Sequence, residues 1–142
     1  MGREALTHDV VTPDTNILVR AVIHDDGPQT IAAARLLKEA QLIAITLPAL
    51  CEFVWVLGSS YKVPSPIISK AMTTLLGAAN VVVDRAAVEA GLAVLDAGGD
   101  FADGVVAHEG NWLGGEVFIS FDRKAVNLPQ SQGYKAEILP TK

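Results

Sequence analysis

The stretch Val10-Val11-Thr12-Pro13-Asp14-Thr15-Asn16 decides how the rest of the chain is interpreted. Two β-branched residues precede an acid and two small polar residues, the pattern of a short buried strand that ends at a polar rim. Pro13 cannot donate a sheet hydrogen bond, so the last residue of the strand and the angle of Asp14 depend on it. In an open parallel α/β sheet, ligands bind at the carboxyl ends of the strands. We therefore expect Asp14 to lie at a functional edge.

The composition predicts one ordinary folded domain. The chain has 142 residues, of which 50% are apolar and 19% are charged, and these values argue against disorder. Cys51 is the single cysteine, so no intramolecular disulfide can form and stability does not depend on an oxidising compartment. The net charge of −5 counts against broad electrostatic binding of nucleic acid. It does not exclude a nucleic-acid substrate, because bound metal would neutralise several carboxylates.

Neither residues 1–9 nor the most apolar stretch has the pattern of an export signal or a membrane span. Residues 1–9 lack the apolar run of a signal peptide. Residues 42–57 contain Pro48 and Glu52 and are too short to span a bilayer. We expect a cytoplasmic protein with no membrane association, in which an N-terminal extension over residues 1–9 precedes a single domain over residues 10–142.

Strand patterns alternate with helix patterns along the chain. Short apolar runs predict strands that begin at Val10 and cover residues 42–45, 81–83, 117–120 and 136–139. Periodic apolar residues predict helices over 16–22, 29–40, 46–57, 65–76, 85–97 and 101–112, with Gly58 ending the third. Trp55 and Trp112 are expected in the core or in an interface. The alternation indicates an α/β fold with a parallel sheet covered by helices on both faces.

Glu52 is the most informative single acid. It is the only charge between Ala40 and Tyr61, and its helix is apolar nearly all round. An ionised side chain in such surroundings is costly unless something compensates it. The alternative is a glutamate at the helix edge that reaches water or pairs with an arginine.

Asp100 and Asp103 lie three residues apart at a predicted helix start, so their carboxylates can face the same way. A structural explanation is also available, since Asp100 suits the N-cap and Asp103 the third helical position of an acidic capping box. The two interpretations are compatible, because a helix amino end also stabilises a carboxylate that binds metal.

Asp122 directly follows the fourth predicted strand, so a second strand brings an acid to the same rim as Asp14. The alternative is a loop aspartate paired with Arg123 or Lys124. These two basic residues are candidates for contacts to substrate phosphates, and they would equally suit a solvated loop.

Clustered carboxylates repel each other unless a cation supplies compensating charge. Oxygen ligands with no matching Cys or His favour Mg²⁺ or Mn²⁺ over Zn²⁺, and such a site suits hydrolysis of phosphodiesters. The candidate catalytic residues are Asp14, Glu52, Asp103 and Asp122. We expect Asp14 and Asp122 to bind the metal directly, Asp103 to bind the metal or hold a water, and Glu52 to orient or deprotonate the attacking water. The supporting candidates are Asp100, Thr15, Asn16 and Ser120, of which the last three have short side chains that can fix carboxylate rotamers.

Four ordered segments resemble the motifs of the PIN-domain ribonucleases and, within them, the VapC-like toxins of toxin-antitoxin pairs. The resemblance covers nearly the whole chain. The segments are Pro13-Asp14-Thr15-Asn16-Ile17-Leu18-Val19-Arg20, the Glu52 helix over 50–57 with Tyr61, Asp100-Phe101-Ala102-Asp103 with Ala107, and Ser120-Phe121-Asp122-Arg123. Ser120 stands where a threonine is commoner in the family.

This resemblance implies a three-layer α/β/α sandwich around a parallel sheet of four to five strands. It also implies cleavage of RNA with Mg²⁺ or Mn²⁺, a homodimer, and a small antitoxin protein that inserts a basic side chain into the acidic pocket. A different class of function stays open from the residues alone. In that alternative the chain is a protein-binding module whose acidic pocket grips a basic partner segment with little or no turnover.

Overall fold

A computed structural model of the chain describes residues 9–141, so all but the last residue of the expected N-terminal extension lies outside the described part. Its five strands are β1 (Val10–Val11), β2 (Leu42–Ala44), β3 (Val81–Val82), β4 (Phe118–Ser120) and β5 (Ala136–Ile138). Its seven helices are α1 (Thr15–Val22), α2 (Gly27–Glu39), α3 (Leu47–Ser59), α4 (Ser65–Leu76), α5 (Arg85–Asp96), α6 (Phe101–Trp112) and α7 (Arg123–Ser131). Over this range no helix combines the length and apolarity that crossing a membrane requires.

The strands pair in parallel within two compact units, one ending at Val83 and the other beginning at Asp84. In the first unit the strand order is β1-β2-β3, and Ile43 lies opposite both Val11 and Val81. In the second unit β4 pairs with β5, with Ile119 opposite Glu137. The predicted α/β class with parallel strands is confirmed. The single domain over residues 10–142 stays a prediction.

Helix α3 forms much of the core of the first unit. The apolar positions that predicted this helix are all buried, namely Leu50, Phe53, Val54 and Leu57. Thr46 caps the helix, because its hydroxyl accepts a hydrogen bond from the Ala49 N–H. Each fully buried apolar side chain of this size contributes about 1.5–3 kcal/mol. The burial of one face fixes which residues of α3 remain available to solvent.

Arg20 joins the end of α1 to the segment after α3. Its buried guanidinium donates hydrogen bonds to the Asp25 carboxylate and to the Tyr61 hydroxyl, and its central carbon lies 5.8 Å from the Tyr61 ring centroid. The bond to Tyr61 raises the pKa of Arg20, and the Asp25 charge acts in the same direction. This pairing orients α1, which begins beside Asp14.

Two glycines let α5 and α6 pack closely in the second unit. A Cβ on Gly104 would lie 2.4 Å from the Ala90 carbonyl oxygen, and one on Gly91 would lie 2.6 Å from the Phe101 ring. Any larger residue at Gly104 would collide with backbone rather than with a movable side chain. The contact therefore sets the position of the first turn of α6, which carries Asp103.

Some predictions at the level of single elements are wrong. Gly58 does not end α3, which continues to Ser59, since Gly58 has no positive φ of the kind that closes a helix. Helix α7 was not predicted, because Pro129 lies inside it and only three of its residues are buried. Trp55 and Trp112 are 64% and 85% exposed, so neither lies in the core, and their expected place in an interface stays a prediction.

Candidate metal centre

Asp14 lies just beyond the carboxyl end of β1 and caps α1. The strand ends at Val11, so Pro13 takes no part in the ladder and its missing N–H removes no sheet hydrogen bond. The Asp14 Oδ1 accepts a hydrogen bond from the Ile17 N–H at 3.1 Å. The side chain is exposed. Asp14 is thus held in one orientation while its other carboxylate oxygen faces no donor among the described residues.

Glu52 is held by Thr15 from the neighbouring helix. The Thr15 Oγ1 donates a hydrogen bond of 2.7 Å to the Glu52 Oε1. Glu52 is exposed on α3, as the alternative of a glutamate that reaches water predicts, so the expected cost of burying its charge is wrong. No arginine within residues 9–141 forms an ion pair with it. The side chain that positions Glu52 is therefore a hydroxyl.

Four of the residues singled out in the sequence line one concavity of about 390 Å³ in the first unit, namely Asp14, Thr15, Asn16 and Glu52. The remaining lining comes from Thr12, Pro13, Thr46, Pro48 and Ala49. Thr46 was predicted only as the first residue of a helix. It lies at this surface because β1 pairs with β2, which places the ends of the two strands side by side. The first unit thus presents an acidic recess of carboxylates and hydroxyls.

In the second unit, Asp100 and Asp122 both cap helices. Asp100 accepts a hydrogen bond from the Ala102 N–H at 3.1 Å, as its sequence position predicts. Asp122 accepts one from the Lys124 N–H at 3.0 Å, a role that only the unpredicted α7 makes possible. Ser120 then accepts a hydrogen bond from the Asp122 N–H at 3.0 Å. This bond fixes the backbone at Asp122 and not its carboxylate, so the role of Ser120 in fixing a carboxylate rotamer stays a prediction.

Asp103 lies in the first turn of α6 and is partly buried. Burial raises the pKa of its carboxyl, and the negative charges of Asp100 and Asp122 raise it further. The charges of Asp100 and Asp122 therefore act on the Asp103 carboxyl. A divalent cation would reverse both effects by supplying the missing positive charge.

Arg123 and Lys124 are exposed at the start of α7. Neither side chain forms an ion pair with an acid in the described part of the chain. The alternative in which Asp122 pairs with one of these side chains is wrong, because Asp122 instead accepts a backbone N–H.

Phe121, which sequence reasoning did not single out, is 67% exposed beside them. Phe121 could have been found from the sequence, because it is an aromatic residue between a predicted strand and the candidate acid Asp122.

The donor chemistry suits a hard divalent cation. The candidate ligands are carboxylate oxygens supported by hydroxyls, as Mg²⁺ and Mn²⁺ prefer, with no Cys and His pair of the kind that binds Zn²⁺. Over residues 9–141, no group of three or more His, Cys, Asp or Glu side chains is gathered so that it could hold a metal ion. Asp14 and Glu52 belong to the first unit, and Asp100, Asp103 and Asp122 belong to the second.

Comparison with known protein families gives one assignment. A family model described as the PIN domain matches residues 11–129, which is most of the chain. The matched range contains the five candidate acids Asp14, Glu52, Asp100, Asp103 and Asp122. A search of the curated proteins found no match.

Proposed function

The chain belongs to the PIN domain family, and from this premise we propose that it is a metal-dependent endoribonuclease. Domains of this family are typically metal-dependent nucleases. The observation that carries the proposal is that the family match spans both acidic groups, the one around Asp14 and Glu52 and the one around Asp103. Cleavage of RNA rather than DNA is the finer part of the proposal and rests on the resemblance of the motifs to the ribonucleases.

The proposed ligands are Asp14, Asp103 and Asp122. Bound Mg²⁺ or Mn²⁺ would neutralise these carboxylates and increase the acidity of a nearby water. Glu52, oriented by Thr15, accepts the proton of the water whose oxygen attacks the phosphorus, while the bond to the 3′ oxygen breaks. Backbone N–H groups hold Asp14 and Asp122 in place, so these ligands need little reordering when metal binds.

We further propose that the chain is the toxin of a toxin-antitoxin pair acting on cytoplasmic RNA as a homodimer. Its partner is a small antitoxin protein that places a basic side chain in the acidic recess. Two features support this part. The four motif segments resemble VapC-like toxins, and the exposed carboxylates of Asp14 and Glu52 would attract an arginine or lysine.

The decisive experiment is a cleavage assay on partner-free protein with structured and single-stranded RNA, in Mg²⁺, in Mn²⁺ and in chelator. Asp14→Asn is compared with Asp26→Asn, a matched control. Both aspartates cap helices and accept an N–H three residues on, at 3.1 and 3.0 Å, and asparagine caps a helix as well as aspartate. We expect metal-dependent cleavage that Asp14→Asn lowers by about 100-fold or more and that Asp26→Asn leaves unchanged.

The competing function is a protein-binding module, which the acidic recess of about 390 Å³ would also suit. In that case the protein binds an arginine-containing peptide, Asp14→Asn weakens this binding, and no metal releases RNA fragments. Absence of cleavage in every metal condition would overturn the nuclease proposal. Equal cleavage by the Asp14→Asn and Asp26→Asn proteins would remove Asp14 from the mechanism.

A further inference from the structure

Phe121 is an exposed aromatic ring at the edge of the second unit. It lies between Ser120, which ends β4, and Asp122, which caps α7, and 67% of it is exposed. A phenylalanine left in water forgoes the free energy that its burial would contribute. A ring in this position is therefore suited to a contact with another molecule.

Two cations follow this ring in the sequence. Arg123 and Lys124 are both exposed, and no acid within residues 9–141 pairs with either. The adjacent Asp122 carboxylate accepts the backbone N–H of Lys124 and forms no ion pair with either side chain. The positive charges are thus available to an anion that comes to the same surface. The segment Phe121-Asp122-Arg123-Lys124 presents a flat apolar face together with two positive charges.

This combination is complementary to a single-stranded nucleotide. An unpaired base has an open π face that stacks on an aromatic side chain, and its phosphates attract cations. A base inside a duplex is already stacked on both sides and offers no such face. An acidic peptide would pair with the cations, whereas a single strand brings both phosphates and an aromatic face for the ring.

We propose that Phe121 stacks on a nucleobase of single-stranded RNA while Arg123 and Lys124 contact the phosphates beside that base. This inference rests on the proposed ribonuclease function and adds to it a side chain that binds a base. Stacking next to Asp122 would hold the backbone of the strand close to a proposed metal ligand. The ring acts through binding and takes no part in bond breaking.

Binding is measured by fluorescence anisotropy with a short labelled single strand and with the matching duplex. Ca²⁺ replaces Mg²⁺, so that the carboxylates are neutralised while cleavage is suppressed, and each protein is titrated over a series of salt concentrations. We expect Phe121→Ala to weaken binding of the single strand by about tenfold at every salt concentration, without changing the salt dependence. Phe121→Tyr should restore the affinity.

Replacing the basic residues should instead change the salt dependence of binding. Removing one phosphate contact on a single strand lowers the slope of log K against log salt concentration by about 0.7. We expect this change for Arg123→Gln and for Lys124→Gln. The matched controls are Lys135→Gln and Trp112→Ala, which alter an exposed lysine and a ring 85% exposed elsewhere in the same unit. Both controls should bind the single strand as the wild type does.

The stacking proposal is overturned if Phe121→Ala binds the single strand with wild-type affinity, or if it weakens duplex binding equally. It is also overturned if Phe121→Ala changes only the size of the protein on gel filtration, since the ring would then contact a second copy. The experiments distinguish an error in the stacking proposal from an error in the nuclease proposal. If the wild type cleaves RNA in Mg²⁺ and Phe121→Ala binds the single strand with unchanged affinity, only the stacking proposal is wrong. If Phe121→Ala selectively weakens binding of the single strand but the wild type does not cleave RNA, only the nuclease proposal is wrong.

Discussion

The hydroxyl of Thr15 donates a hydrogen bond of 2.7 Å to the Oε1 of Glu52, joining α1 to α3. The Ala49 carbonyl oxygen lies 3.4 Å from the same hydroxyl. A hydroxyl has one proton, and the shorter contact, to a charged acceptor, is the stronger hydrogen bond. The residue that follows Asp14 therefore sets the orientation of Glu52.

Thr15→Val should lower the kcat of metal-dependent RNA cleavage by about tenfold, because Glu52 loses the donor that orients it while the shape of residue 15 is kept. Thr15→Ser restores the hydroxyl and should return most of the activity. The readouts are kcat and the metal concentration that gives half-maximal rate. Thr30→Val is the matched control, since the Thr30 hydroxyl is buried without a hydrogen-bond partner in the described chain. A Thr15→Val enzyme as active as wild type would show that the bond is only structural.

Asp103→Asn should stabilise the protein in chelator at neutral pH by about 0.5 kcal/mol, a value reduced for solvent screening. Burial and the neighbouring acids raise the pKa of Asp103, so the folded state holds this proton more tightly than the unfolded state does. The wild type therefore loses this stability as pH rises from the ordinary aspartate range through the raised pKa. Below that range the two proteins should differ less.

The measurement for Asp103 is urea unfolding of both proteins across a pH series, in chelator and then in Mg²⁺. The quantity compared is the difference in free energy of unfolding, in which the titration of all other groups largely cancels. Mg²⁺ should stabilise the wild type more than the variant. A difference that does not change with pH would show that Asp103 is not destabilised by its surroundings.

Gly104→Ala should destabilise the protein by about 1–3 kcal/mol, since the new methyl group would lie 2.4 Å from the Ala90 carbonyl oxygen. Gly110→Ala, in the same helix, has no atom within 4 Å of its new Cβ and should stabilise by about 0.5–1 kcal/mol. Opposite shifts in the melting temperatures of these two variants check the close packing of α5 and α6. Equal shifts of the same sign would contradict it.

Local sequence predicted the elements that depend on local chemistry. Asp100 was expected to cap α6, and a helix was expected to begin at residue 65, and the structure confirms both. These features depend on residues within one helical turn, so the chain encodes them directly. Helix α7 could not be predicted, because its internal proline and polar surface outweigh the weak apolar pattern that its packing uses.

The sequence by itself determined the order of the five strands and the first six helices, the α/β class, and which acids follow strand ends, because apolar periodicity and helix caps are properties of neighbouring residues. Only the tertiary structure decided that Glu52 is exposed, that Thr15 holds it from 37 positions away, and that burial raises the pKa of Asp103. Hydrogen bonds between helices and the loss of water around a carboxylate depend on distances that packing creates. No periodicity along the chain records those distances.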